Sequence, residues 1–346
     1  MKKIMVLLMS LIITAVMGAA CNNDGNAKMG GMVNSDAAET REDEVHNLLI
    51  EGDGFPYTIT DYMNNIIVIE DKPENWAVLS GTFLNLWYKI GGTSICTTDL
   101  GSVKLDPENR EEIERLPSVG PVYNPNTEKV VEIFPDFVIA QTGIQTSLAN
   151  ILNSMGITTA LFHMKSYKDV LDHMRVFGKL LEKEDYVEEL IAKMEDDKKA
   201  IIDKLPEENK TIVILYITSA SLSVKLDNSI AGDVAKLLSI DNIASDLPPD
   251  TIGSETTPID IEFIAEMNPD MVLVASMISS NEDAKRVMNE EFDTNPVWES
   301  VGAVTEGNVA FLPQEYFLYN AGHNYVRAIE YMAKAVYPEI YGEIDG

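Results

Sequence analysis

The sequence predicts an α/β protein of two Rossmann-like lobes with parallel-type sheets, joined by one long α-helix, with a ligand cleft between the lobes. Three observations carry this. Residues 166–205 form a long amphipathic stretch, with Tyr167, Val170, Leu171, Met174, Phe177 and Leu181 spaced for one buried helical face. Residues 128–140, EKVVEIFPDFVIA, are echoed by residues 262–274, EFIAEMNPDMVLV, one on each side of that stretch. Each copy places Pro-Asp between a helical pattern and an apolar strand, so two lobes of similar build are expected. WAVLS, FLNLWYKIGG and SICTT then read as strand, helix and strand, the grammar of a parallel layer.

In chain order, residues 1–20 read as a signal peptide: Lys2 and Lys3, an apolar run, then Gly18-Ala19-Ala20 before Cys21. The run is too short for a mature membrane span. GAAC resembles the lipobox of bacterial lipoproteins, which makes Cys21 the lipid-bearing residue, although Gly18 stands where the pattern carries leucine. Ordinary secretion after Ala20 is the competing reading. Residues 21–55, poor in large apolar side chains, are expected to be a flexible tether.

Residues 56–165 are assigned to the N-terminal α/β lobe. It opens with the β-like runs YTIT, IIVIE and WAVLS; Gly91-Gly92 stop the first helix. Residues 166–205 are the connecting helix, started by Ser166 with Asp169 three positions later and stopped by Pro206. Its apolar stripe breaks over residues 182–185 and resumes at Val187, Leu190, Ile191 and Met194. Residues 206–346 are the C-terminal α/β lobe, with the strand TIVILYI, a hairpin-like stretch, the Pro-Asp echo, a strand at 309–312, an aromatic loop and a closing amphipathic helix.

Charge narrows the function. The chain carries 26 Lys+Arg against 56 Asp+Glu, a net charge of −30, which repels phosphate backbones and excludes nucleic acid as a partner. With Cys21 lipidated, Cys96 has no partner for a disulfide and reads as a small buried hydrophobe. No G-x-G-x-x-G, P-loop, G-x-S-x-G or H-E-x-x-H motif occurs, and the four histidines are dispersed. No catalytic residues and no resident metal are assigned.

The order of VLSGTFLNLWYKIGG, LPSVGPVYNPNTEKVVEIFPDFVIA, the long helix, IEFIAEMNPDMVLV and NPVWESVGAVTEGNVAFLP resembles the iron-complex substrate-binding proteins of bacterial ABC importers, over residues 76–342. That resemblance implies two lobes on one helix and a ferric siderophore, haem or cobalamin as ligand. It also implies a permease and ATPase as partners, an extracytoplasmic membrane-anchored location, a monomer, and no cofactor beyond the transported iron chelate or haem. EEFDTNPVWESVGAV is similar to haem-receptor lipoproteins, which hold iron between a methionine and a histidine. Here Met277 stands at the histidine position, and the matching helix start at Asn85 shows no methionine. Such proteins dock through one acidic residue per lobe; the matching positions are Glu262 and Asn85, with Glu255 in reserve.

The expected cleft residues are Ser80, Thr82, Trp87, Tyr88, Gln141, Tyr216, Met277, Tyr316, Tyr319 and His323. No arginine falls in a strand-end loop assigned to the cleft, so a weakly anionic complex gripped by rings and hydroxyls is expected. Each aromatic taken alone reads first as core packing, and the loop pair Tyr316 and Tyr319 is the strongest candidate for the ligand. The alternatives are a free metal-ion or cobalamin binder of the same architecture, or a surface lipoprotein outside transport.

Overall fold

The computed structural model describes residues 48–344, apart from 102, 279 and 320. The signal peptide, Cys21 and residues 22–47 of the expected tether lie outside the described residues. Order starts earlier than residue 56. Strands β1 (Leu49–Glu51), β2 (Tyr57–Thr60) and β3 (Ile66–Ile69) form a separate antiparallel sheet. Leu48 and Ile50 pack against the core, which corrects the tether boundary. Asp61 ties this sheet to the first lobe, its Oδ2 accepting the Leu161 N–H at 3.0 Å while Tyr62 N–H donates to the Leu161 carbonyl.

The first lobe has a parallel sheet in the order β4 (Trp76–Val78), β5 (Phe137–Gln141), β6 (Thr158–Phe162). Its helices are α1 (Gly81–Lys89), α2 (Arg110–Ile113), α3 (Thr127–Glu132) and α4 (Thr146–Ser154). SICTT is not a sheet strand: only an isolated bridge joins Thr97 to Ser118. Its backbone bonds are isolated, Ile95 N–H to the Trp76 carbonyl at 2.9 Å and Thr97 N–H to the Pro117 carbonyl at 3.1 Å, and side chains add to them: Ser94 Oγ accepts the Val78 N–H at 3.0 Å and Thr98 Oγ1 donates to the Leu79 carbonyl at 3.1 Å.

The connection is two helices, α5 (Tyr167–Leu181) and α6 (Glu184–Ile202), not one. Ser166 and Asp169 form the expected capping box. Glu182 then adopts a left-handed conformation, φ 57°, and the Lys183 N–H returns to the Gly178 carbonyl at 2.7 Å. Val187 closes over Gly178, where an added Cβ would lie 2.9 Å from Val187 Cγ2. The gap in the apolar stripe is this turn. The 19 residues of α6 span about 28 Å, at about 1.5 Å each.

The second lobe contains β7 (Thr211–Ile217), β8 (Leu222–Lys225), α7 (Ile230–Leu237), β9 (Asp241–Asn242), β10 (Thr256–Pro258), α8 (Ile261–Met267), β11 (Met271–Ser276), α9 (Asn281–Thr294), α10 (Gly302–Thr305) and β12 (Val309–Phe311). The chain closes with α11 (Gln314–Phe317), α12 (Tyr325–Val336) and α13 (Pro338–Tyr341). Strands β9, β7, β11 and β12 run parallel, while β8 and β10 add antiparallel pairs at one edge. The sheet is mixed rather than purely parallel.

Strand alternation divides the interior. Trp76, Val78, Phe137, Ile139 and Phe162 of the first sheet, and Ile212, Ile214, Leu273 and Ala275 of the second, belong to one apolar core shared with α1, α5, α6, α7 and α12. Their neighbours point the other way, Ala77, Val138 and Leu161 into one private core and Val213, Leu215 and Val272 into another.

The Pro-Asp echo performs the same task in both lobes. Asp136 Oδ2 accepts the Asn75 N–H at 2.7 Å, just before β4. Asp270 Oδ2 accepts the Thr211 N–H at 2.7 Å, at the first residue of the strand that opens the second lobe's sheet. Phe134 and Asn268, at the same place in each copy, both have positive φ. Each aspartate thus fixes the register of two parallel strands. Asp136→Ala and Asp270→Ala are each expected to lower unfolding free energy by about 1 kcal/mol in urea titrations. Glu128→Ala and Glu262→Ala, which remove exposed glutamates of the same repeat, should leave it unchanged.

Candidate functional site

The C-terminal ends of the strands carry the candidate site, as expected for open α/β sheets. In the first lobe, Ser80 follows β4 and donates to Gln141 Oε1 at 2.9 Å, at the end of β5. Buried Gln145 accepts the Gln141 N–H at 2.8 Å and donates to the carbonyls of Leu79 and Val122. That bond holds the loop bearing Tyr123, which is 60% exposed. Thr82, in the first turn of α1, donates to the Tyr319 carbonyl and so ties the C-terminal aromatic loop to the first lobe.

In the second lobe, the Tyr216 hydroxyl at the end of β7 donates to Met277 Sδ at 3.3 Å, just past β11. Lys225 Nζ sits 3.9 Å from the Tyr216 ring centroid, a cation–π distance. The Tyr216 phenol is pushed up to about 12, first by burial and then by Glu255, Tyr123 and Tyr319. Its direct neighbours are Met277 and Lys225, both of the second lobe.

Sequence reasoning missed the charged part of this neighbourhood. Glu255 binds Lys225 at 2.8 Å and Lys165 at 2.9 Å, one lysine from β8 and one from the β6–α5 loop. Burial alone would raise the Glu255 pKa, but the two ammonium groups hold it below the ordinary carboxylate value. Lys225 is lowered by burial, against the pull of Glu255. Nearby His163 stacks on Tyr62 at 4.4 Å. Burial, aided by Lys165, pushes His163 down to about 4, so it is neutral at pH 7.

Several expected site residues lie elsewhere. Trp87 is fully buried among Trp76 and Phe177, its indole N–H donating to the Thr93 carbonyl at 2.9 Å. Tyr88 is buried beside it, its hydroxyl accepting the Ser94 N–H. Both belong to the core shared by the two lobes, because α1 is packed on nearly every side. His323 pairs with Asp106, Nε2 to Oδ2 2.6 Å. It lines a separate cavity of about 880 Å³ along α6 and α12, with Leu190, Met194, Ile201 and Arg327. Tyr316 and Tyr319 line a smaller cavity of about 140 Å³ with Thr82 and Asn85.

The docking candidates also separate. Asn85 is occupied in the fold: its amide donates to the Lys104 carbonyl at 2.7 Å and its carbonyl accepts the Asp106 N–H. Glu255 is engaged with its two lysines. Glu262 is exposed on the first turn of α8, which Asp260 caps. Cys96 is buried, its thiol pushed up to about 12 by burial, and is inert as a nucleophile.

Residues 77–316 match the family model described as periplasmic binding protein. The chain is 22% identical over 343 residues to an uncharacterised ABC transporter substrate-binding lipoprotein, YvrC, of Bacillus subtilis, covering 96% of this chain and 97% of the relative. It is also 22% identical over 352 residues to the Fe(3+)-citrate-binding protein YfmC of the same organism, covering 99% and 98%. Among solved structures, an ABC transporter substrate-binding protein from Listeria monocytogenes superposes with a TM-score of 0.67 at 20% identity, over 77% of this chain and 99% of that one.

The depressed His163 pKa makes stability acid-sensitive. The unfolded chain takes up a proton near pH 6.5, while the native imidazole resists until about 4. Stability is therefore lost as pH falls between those values, by about 2–3 kcal/mol from this residue. In urea unfolding at pH 7 and pH 4.5, His163→Phe, which keeps a ring against Tyr62, should show a correspondingly smaller loss than the parent.

Proposed function

Because the chain belongs to the periplasmic binding protein family, we propose that it captures an iron complex outside the cytoplasm and delivers it to an ABC importer. The observation that carries this reading is the meeting of the two lobes at their strand ends: Tyr216, Met277 and Lys225 of the second lobe join Lys165 of the first through Glu255, and Thr82 of the first lobe holds the Tyr319 loop. Aromatic faces and fixed donors at the mouth of two sheets suit an organic chelate, whose rings stack and whose oxygens accept hydrogen bonds. The residues perform recognition and no bond-making step.

The proposed partners are a permease and its ATPase, met through an exposed face that includes Glu262. Cys21 is the proposed lipid attachment, holding the protein at the outer surface of a membrane. The free-metal alternative needs three or four converging donors. Among the described residues no group of three His, Cys, Asp or Glu side chains is placed to hold an ion.

Tryptophan fluorescence titrated with ferric citrate, a ferric catecholate, a ferric hydroxamate, haem and cobalamin tests the reading. Saturable quenching by an iron complex is expected, with Tyr319→Ala weakening it about tenfold through loss of one stacking ring. Cobalamin alone, or none of the five, would contradict it.

A further inference from the structure

The small sheet of β1, β2 and β3 has two unlike faces. Its inner face carries Tyr57, Ile59 and Ile69, all buried, with Ile50 and Ile67 packed against the same core. Strand pairing aligns Leu49 with Thr60 and Ile66, and Glu51 with Thr58 and Val68, so these six residues make the outer face. There Leu49 is 51% exposed, Ile66 75% and Val68 51%, and Met63 in the adjoining turn is 48% exposed. Among the described residues thirteen large apolar side chains are exposed, and four of them fall within this short stretch. Single exposed apolar residues need no explanation, but a cluster of them does.

Charge is kept away from that corner. Residues 62–69, YMNNIIVI, contain no Asp, Glu, Lys or Arg, in a chain whose net charge is −30. Asp61, which precedes them, is buried, and its carboxylate accepts the N–H groups of Met63, Asn65 and Leu161. The exposed acids Glu51, Asp53, Glu70 and Asp71 stand toward the opposite end of the sheet. The chain enters the sheet at its apolar end, since Leu49 begins β1. Residues 22–48 separate it from Cys21, and even fully extended they span at most about 90 Å. An anchored chain is thus confined near the bilayer, and a patch too small to hold a free protein on lipid is enough for a tethered one. The same end of the sheet also touches the candidate-site side of the first lobe. Tyr62 N–H donates to the carbonyl of Leu161, one residue before the end of β6, and the Tyr62 ring stacks on His163 in the β6–α5 loop.

We propose that the outer face of this sheet, at Leu49, Met63, Ile66 and Val68, is a seat on the lipid bilayer that carries the anchor. The four side chains enter the interfacial zone of the lipid, while the acidic end of the sheet stays in water. This rests on the lipid attachment proposed above for Cys21 and adds an orientation to it. Because the apolar end adjoins the C-terminal end of β6, seating turns the candidate-site side of the first lobe toward the membrane, where a permease lies. The tether then does more than limit distance: it presents the protein to its importer with one side down.

The chain of residues 21–346, coupled through Cys21 to a maleimide-bearing lipid in phosphatidylcholine vesicles, tests this; Cys96 is buried and does not compete for the label. Amide hydrogen exchange of residues 49–51 and 62–69 should slow about tenfold on the vesicles relative to the same chain free in solution, with β4, β5 and β6 unchanged. Ile66→Thr combined with Val68→Thr, both at exposed positions, should abolish the slowing and leave the melting temperature unchanged. Exchange that is equal on and off the vesicle would overturn the proposal; if it is slow in both, residues 22–47 cover the face instead. Slowing that grows with the density of protein on the vesicle would also overturn it, in favour of a second copy paired along the open edge of β3. Mass spectrometry of the natural N-terminus separates this proposal from the anchor reading. Failure on vesicles beside a lipidated Cys21 overturns the seat alone, whereas an unlipidated N-terminus overturns the anchor and the seat together.

Discussion

The constraint on which the molecule depends is the apolar core common to both lobes. One face of each sheet turns toward it, and α1, α5, α6, α7 and α12 fill the space between. Each large side chain that separation of the lobes would return to water contributes about 1.5–3 kcal/mol to holding them together. A polar knot reinforces it. Asp233 of α7 accepts from the Tyr167 N–H at 2.8 Å and from the Tyr325 hydroxyl at 2.7 Å, joining α7 to α5 and α12. Burial raises the Asp233 pKa, while those two donors oppose it. Such an arrangement holds the strand ends of the two sheets at a fixed separation.

That fixed separation explains the form of the site. A cleft that barely moves must be recognised by groups already in place, and cannot rely on closure to assemble them. Gln145 braces the Tyr123 loop from below, Thr82 braces the Tyr319 loop, and Met277 accepts from Tyr216.

Much of this was legible locally. The Pro-Asp echo was readable because proline and aspartate act through the adjacent backbone, and the Ser166–Asp169 start because a capping box is complete within four residues. The stripe's interruption near Glu182 was visible, but not the turn it produces, since direction depends on Val187 closing over Gly178. SICTT read as a strand because its residue types suit one, while its backbone bonds, to Trp76 and Pro117, build no continuous ladder. Trp87 and Tyr88 were placed in the cleft because an aromatic in a short helix does not declare which neighbours cover it. The lysine pair was invisible: Lys165, Lys225 and Glu255 are far apart in the chain and meet only through tertiary packing.

Solution X-ray scattering of the whole protein, empty and saturated with ferric citrate, tests the central claim of one shared core most directly. An unchanged radius of gyration is predicted, because the core cannot open without exposing Phe137, Phe177 and Ile214 to water. A clear contraction on binding, of the kind produced by hinge closure of two independent lobes, would contradict it.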